Sequence, residues 1–147
     1  MTLILQLAEF IKESEQWGHR SKWLGDDTMK VYVRRANHVV SPKKSMATLD
    51  IAAIDVNEDK QNQGLCTAFL KEAHELNPWE ATYVECVHNP ILASLLMRHG
   101  WIGVTTSDPF TAMAPESYFL PKDMEKYNEE QRLKMMFDRS TNSTGPR

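Results

Sequence analysis

The segment from Leu49 to Leu76 constrains the fold more than any other part of the chain. An apolar run, Leu49 to Ile54, leads into the polar stretch Asn57-Glu58-Asp59-Lys60-Gln61-Asn62-Gln63-Gly64. A helical pattern follows, with Leu65, Phe69, Leu70, Ala73 and Leu76 on one side, until Asn77-Pro78 ends it. The order is strand, loop with a single glycine, helix. Such a junction turns backbone N–H groups outward at a helix N-terminus, where the dipole favours a phosphate or pyrophosphate. No Gly-Lys-Ser/Thr follows, so the loop is not a Walker A. Only Gly64 of three glycines is present, so it is not a dinucleotide fingerprint. On the loop alone, a plain strand-to-helix connection is the simpler account.

The same logic extends in both directions. Ala81 to Val87 reads as a strand. Asn89-Pro90 matches a helix start, with Asn at the cap and Pro at the first helical position. Ile91, Leu92, Leu95, Leu96 and His99 line that helix's expected buried side, and Gly100 closes it. Upstream, Thr2 caps a helix that carries Leu3, Leu7, Phe10 and Ile11 at helical spacing to about Gln16. Trp17 to Asp27 reads as a loop, Met29 to Arg34 as a strand, and Asn37 to Lys44 as a turn. Met46 to Val56 is the next strand, with Ile51 to Ile54 expected to be buried on both faces. Trp101 to Thr105 and Ser117 to Leu120 are short strands, and Asp123 to Phe137 is a charged helix.

The expected architecture is α/β. It is a mixed, mostly antiparallel sheet with a central splayed parallel strand pair flanked by helices. Residues 1–121 form the domain, 122–138 a C-terminal helix and 139–147 a disordered tail. A ligand crevice belongs at the carboxyl end of the central strands.

Composition removes several classes of function. A net charge of −3 leaves no global basic footprint for nucleic acid. No apolar run approaches a membrane span, and the N-terminus lacks the charged region and cleavage site of a signal peptide. The cysteines, Cys66 and Cys86, lie in apolar segments and outside any CxxC pair, which predicts reduced thiols in a cytoplasmic protein and no metal centre.

Two motifs carry a resemblance. Gln61-Asn62-Gln63-Gly64-Leu65-Cys66 is similar to a cofactor loop of the form Gln/Arg-x-x-Gly-x-Gly/Ala. Asn89-Pro90-Ile91 through Leu95-Leu96-Met97-Arg98-His99-Gly100-Trp101 is similar to an Asn-capped helix followed by Gly-aromatic. In this order and spacing they resemble the GNAT superfamily of acyl-CoA N-acyltransferases, over about residues 45 to 105. The first helix and residues 29–44 fit loosely, and the family's usual opening strand is missing.

The resemblance implies acetyl-CoA as cosubstrate. Ile54, Asp55 and Val56 would splay from the next strand and bond the pantetheine arm. The N–H groups of Gln63 to Thr67 would hold the pyrophosphate, with Gln61, Asn62, Gly64, Leu65 and Cys66 completing the loop. Gly64 would admit the backbone where a Cβ would clash, and Asn89 would face the arm near the thioester. Asp50 falls where histone-type members keep a general-base glutamate, and Glu85 on the adjacent strand is the second candidate. A base is needed because an amine is mostly protonated at neutral pH.

Leu96 departs from the pattern: many members place there a tyrosine that protonates the leaving thiolate. Tyr118 or His88 could stand in for it. The expected function is N-acetyl transfer from acetyl-CoA to an amine, small or peptidic, by direct attack. The alternative is a catalytically inactive protein of this fold that binds CoA or a partner. A homodimer is possible; nucleic acid and membrane are not expected partners.

Overall fold

Helix α1, Leu3–Trp17, lays Leu3, Leu7, Phe10 and Ile11 into the main core. The computed structural model describes the chain apart from residues 18–19, 42–43, 62, 86, 88, 105–114 and 144–147. After α1 comes a strand where the sequence suggested a loop: β1, Ser21–Gly25, pairs antiparallel with β2, Met29–Ser41. The breakers Gly25, Asp26 and Asp27 mark its end, not a whole loop. Asp26 Oδ1 accepts from Thr28 N–H at 2.8 Å, Met29 N–H at 3.0 Å and the Thr28 hydroxyl at 2.6 Å, closing the hairpin turn. The Thr28 hydroxyl is the main reason the Asp26 carboxyl sits below its ordinary range. Gln6 of α1 locks the strand end, donating to Gly25 O at 2.7 Å and accepting from Gly25 N–H at 3.0 Å.

Residues 37–41, expected to be turn, instead continue β2 against β3, Lys44–Val56. The ladder contains a bulge: Tyr32 pairs with Ala53, but Val33 pairs with Ile51, leaving Ala52 extra. The bulge keeps Leu49 and Ile51 on the α1 face and also turns Ile54 and Val56 toward it. The fully buried stretch of β3 is Thr48–Ile51, upstream of the expected Ile51 to Ile54. The reason is its neighbour: β4, Ala81–Val84, covers β3 from Thr48 to Ile51 only.

A short 3₁₀ turn, Glu58–Lys60, precedes α2, Leu65–Leu76. Then follow β4, α3 (Pro90–Arg98), β5 (Ile102–Gly103), β6 (Tyr118–Pro121) and α4 (Met124–Ser143). The sheet order is β1-β2-β3-β4-β6-β5, with β3 and β4 the parallel pair and the other pairings antiparallel. Helices α1, α2 and α3 cover one face through the main core, which includes Phe69, Leu70, Leu96 and Trp101. On the other face α4 packs Tyr127 against Phe119, Tyr83, Val40 and Met46. The helix α4 continues beyond residue 138, where a tail was expected to begin. No described helix is long and apolar enough to cross a membrane.

Candidate functional site

The parallel pair sets the site. Its last register pair is Ile51 with Val84, followed by one more backbone bond, Glu85 N–H to the Ile51 carbonyl at 3.2 Å. β3 continues to Val56, while β4 has ended. A cavity of about 460 Å³ opens in the gap. Ile54, Asp55 and Val56 form its strand wall. Gln61, Gly64, Leu65, Cys66 and Thr67 form its loop wall, and Asn89 stands at the start of α3. These are nine of the residues that the sequence singled out. Asn62 lies outside the described residues, and Gln63 is exposed, donating to Asp59 O at 3.4 Å, away from the lining.

Gly64 caps α2 with φ +72°, and among the described residues no side-chain cap bond closes the helix's first turn. That leaves a bare, dipole-positive end facing the cavity, with Lys60 beside it. A Cβ on Gly64 would meet only Thr67 Oγ1, at 3.8 Å. The glycine is required by its left-handed backbone, not by a steric clash within the protein. Asn89 Oδ1 accepts from Ile91 N–H at 2.9 Å and Leu92 N–H at 3.4 Å, so its oxygen serves the cap. On α3, Ile91 is 71% exposed and His99 is exposed too; Leu96 is the buried one. Leu96 lines an apolar groove of about 440 Å³ between α2 and α3, which adjoins the cleft through Gly64, Thr67 and Leu95; Leu92 and Leu95 line the cleft, and Leu96 does not.

Beneath the vertex of the splay, on the face away from α1, lies a polar cluster drawn from three strands. Asp50 is 0% exposed. Its Oδ1 accepts from the Thr48 hydroxyl at 2.6 Å, and its Oδ2 from Arg34 Nε at 3.3 Å. Oδ2 also lies 2.6 Å from His38 Nε2. Arg34 bonds Glu85 Oε1 as well, and His38 Nε2 lies 3.4 Å from that oxygen. The His38 ring lies flat on Tyr83, centroids 3.8 Å apart and planes within 2°. Burial works against the Arg34 charge, but Glu85 and then Asp50 outweigh it, so its pKa is raised. The ligand atoms of His38, Asp50 and Glu85 lie within 4.8 Å of one another, close enough for a metal. The cation that bridges the two carboxylates here is the Arg34 guanidinium.

The structure brings Asp50 and Glu85, which the sequence offered as alternative bases, into one cluster and adds Arg34 and His38. Those two were missed because residues 37–44 read as a turn and Arg34 as the last residue of a short strand. The signal was the period-two run Arg34, Ala36, His38, Val40, which continues the face of Lys30 and Tyr32, opposite Val31 and Val33. Asp50 cannot itself reach an acceptor, since it is sealed and bonded by three partners. Tyr118, 2% exposed, sits in the core. Burial pushes the Cys66 thiol up to about 11, which favours the protonated thiol over the thiolate near neutral pH. His88 and Cys86 lie outside the described residues.

No protein-family model matches the chain, and no curated protein matches its sequence. Solved structures do. A mutant of the AtaT toxin bound to the C-terminus of the antitoxin AtaR and acetyl-CoA superposes with a TM-score of 0.52 at 11% identity, over 78% of this chain and 74% of that one. AtaT complexed with acetyl-methionyl-tRNAfMet gives 0.50 at 12% identity, over 84% and 83%. The likeness shows the fold: this chain shares the architecture of those toxins, a mixed sheet with the parallel pair splayed at its centre.

Proposed function

We propose that the protein is an N-acetyltransferase that takes its acetyl group from acetyl-CoA. The observation that carries this is the cleft that opens where β3 and β4 part, with a bare helix N-terminus in its wall and the polar cluster beneath its vertex, on the other face of the sheet. A cavity of about 460 Å³ is in the range of a small-molecule site. The first turn of α2 and Lys60 suit a pyrophosphate, and the unpaired edge of Ile54 to Val56 suits an amide-rich arm laid along it. The fold's likeness to a toxin solved with acetyl-CoA supports the same ligand.

In this reading the acceptor ammonium gives one proton to the cluster, and the free amine attacks the thioester carbonyl. The C–N bond forms, the tetrahedral oxyanion collapses with cleavage of the C–S bond, CoA leaves as the thiolate, and the nitrogen's second proton passes to that thiolate or to solvent. His38 is the group assigned to take the proton, because its partly exposed imidazole is held by the sealed Asp50 carboxylate. Asp50 is a positioning residue, holding His38 Nε2. Glu85, at the vertex, holds the incoming ammonium. The acceptor's identity is open among small amines, peptides and, since one structural neighbour is complexed with an acetylated aminoacyl-tRNA, amino acids carried on RNA. A cytoplasmic setting fits the reduced Cys66. The exposed Leu133, Met135 and Met136 on α4 fit self-association into a dimer.

One observation favours a silent binding protein of the same fold. The α3 side chains toward the cleft, Ile91, Leu92 and Leu95, include no proton donor. A single assay separates the two: release of free CoA from acetyl-CoA with a panel of amines and in whole lysate, alongside the melting temperature with acetyl-CoA. Thermal stabilisation with CoA release supports the enzyme. Stabilisation without release supports the binder, and neither overturns the cofactor reading.

A further inference from the structure

The polar cluster leaves one carboxylate oxygen unused. Arg34 and Asp50 are register partners on β2 and β3, and Asp50 is the partner of Tyr83 on β4. Glu85 lies two residues beyond Tyr83, so these groups share one face of the sheet. The inner carboxylate is full: Asp50 is sealed and takes Thr48, Arg34 and His38 at once. The outer one is not. Arg34 and His38 both approach Glu85 at Oε1. A carboxylate has about four acceptor positions, and among the described residues nothing bonds Glu85 Oε2. The Glu85 side chain is 18% exposed and that of Arg34 38%, so solvent reaches this end of the cluster.

Charge decides what that oxygen can take. Asp50 and Glu85 bring two negative charges and Arg34 one positive. A His38 ready to accept a proton is neutral, which leaves the cluster with one negative charge. The other charges on this face cancel. Lys30 opposes Asp55 across the β2–β3 ladder, and Lys44 is paired with Glu130 of α4 at 2.7 Å. Among the described residues, then, the face balances one added cation. An ammonium on Glu85 brings the cluster to neutrality, and the sum does not change when its proton moves to His38. A second ammonium on the same molecule would find no free carboxylate and would stand near the guanidinium, which repels it.

We infer that Arg34 fixes the charge of the acceptor. The guanidinium fills one of the two cation places that Asp50 and Glu85 create and leaves the other, at Glu85 Oε2, for a single isolated ammonium. The acceptor class is then a monoamine. Diamines and polyamines, whose ammonium groups lie a few bonds apart, are turned away. Arg34 acts by its charge and takes no part in the proton transfer. The acceptor's place at Glu85 rests on the acetyltransferase reading above; the preference for one charge over two does not.

Butylamine and 1,4-diaminobutane, which share a chain and differ by one ammonium, test this. For each, kcat/KM is read from CoA released from acetyl-CoA, and binding to the full chain in saturating CoA is read by calorimetry. Wild type should favour butylamine by roughly tenfold or more. Arg34→Gln leaves two negative charges and should move the ratio roughly tenfold toward the diamine. Arg34→Lys keeps the charge and should restore the wild-type ratio. The ratio is the readout because a loss of stability lowers both amines alike. Should Arg34→Gln not fold, Glu85→Gln takes its place: with one negative charge removed, both amines should weaken by roughly tenfold. The proposal is overturned if Arg34→Gln keeps the wild-type ratio, if wild type prefers the diamine, if wild type neither binds nor acetylates butylamine, or if Glu85→Gln handles both amines as wild type does. The expected ratios in binding with no CoA released keep the role of Arg34 and remove the transferase. CoA release at equal ratios in all variants keeps the transferase and removes the role of Arg34.

Discussion

His38 Nε2 lies 2.6 Å from Asp50 Oδ2, across two strands, with the imidazole ring clamped flat on Tyr83. The buried carboxylate fixes which ring nitrogen it holds, and the tyrosine fixes the plane. An imidazole held at both its edge and its face loses little freedom when it accepts a proton, which is the arrangement a general base needs.

If His38 is that base, His38→Gln should lower turnover by roughly a hundredfold or more. It should leave the rise in melting temperature caused by acetyl-CoA intact, because the cofactor loop is on the other side of the vertex. Asp50→Asn should lower turnover as well, through the loss of positioning. Wild-type turnover in His38→Gln would move the role to Glu85 or to water.

The cofactor loop gives a second test. Acetyl-CoA should raise the melting temperature, since a ligand that binds only the folded state stabilises it. Gly64→Val should erase that rise. It should also lower the melting temperature without ligand, because a β-branched residue at φ +72° is strained by about 1–2 kcal/mol. Retention of the full ligand-induced rise in this variant would remove Gly64 from the site.

Much of the cleft was legible in the sequence because its walls are local. Gly64, its loop and Asn89 each announce a helix start within a few residues, and the splay follows from where the apolar runs stop. The polar cluster was half legible. Asp50 stood out as a charge in an apolar strand, but Arg34 and His38 reach it only through the register of a long hairpin. Pro42 and two lysines made that hairpin's second half look like a turn. β1 was lost for a similar reason: the Gly25-Asp26-Asp27 cluster that ends it outweighed a five-residue strand whose alternation rests on Leu24 alone.

Arg34 gives a prediction about stability. Asp50 is sealed from water, and Arg34 is its main cationic partner. Arg34→Ala should destabilise the fold by about 2–3 kcal/mol, because an ionised carboxylate left underpaired in the interior is costly. Urea unfolding measures this. A loss below about 0.5 kcal/mol, the range of ordinary surface substitutions, would mean that His38 and Thr48 satisfy Asp50 unaided.

His74 sets a pH dependence. Burial first, and then the nearby Lys122 charge, lowers its pKa to about 4 against an ordinary 6.5. Its Nδ1 lies 2.8 Å from the Thr82 hydroxyl. The folded state therefore holds His74 neutral between those values, while the unfolded chain takes up a proton. Stability is complete above about pH 6.5 and falls as the pH drops toward 4. The side chain is only partly buried, so the effect is discounted to on the order of 1 kcal/mol. His74→Gln should flatten this part of the melting-temperature profile between pH 7 and pH 4.5. An unchanged slope in the variant would assign the acid sensitivity to other groups.

Leu96 decides how the leaving thiolate is handled. It stands where many members of the resembled family keep an acidic tyrosine. Here it is 2% exposed, packed in the main core and turned to the groove between α2 and α3. Leu96→Tyr would add a ring and a hydroxyl to a packed site, at a cost of about 1–3 kcal/mol. It should not speed CoA release, because Leu96 is not among the residues that line the cleft. Leu95 lines the cleft, so Leu95→Tyr is the substitution expected to raise the rate. The wild type can still turn over without such an acid: a thiol with a pKa near that of cysteine, about 8.5, leaves tolerably as the thiolate close to neutral pH. Slow but measurable CoA release in wild type, a faster rate in Leu95→Tyr and an unfolding midpoint lowered in Leu96→Tyr without a rate gain are the expected results. A rate gain in Leu96→Tyr would show that α3 turns its other face to the thioester during the reaction, and the assignment of Leu92 and Leu95 to the cleft would have to be given up.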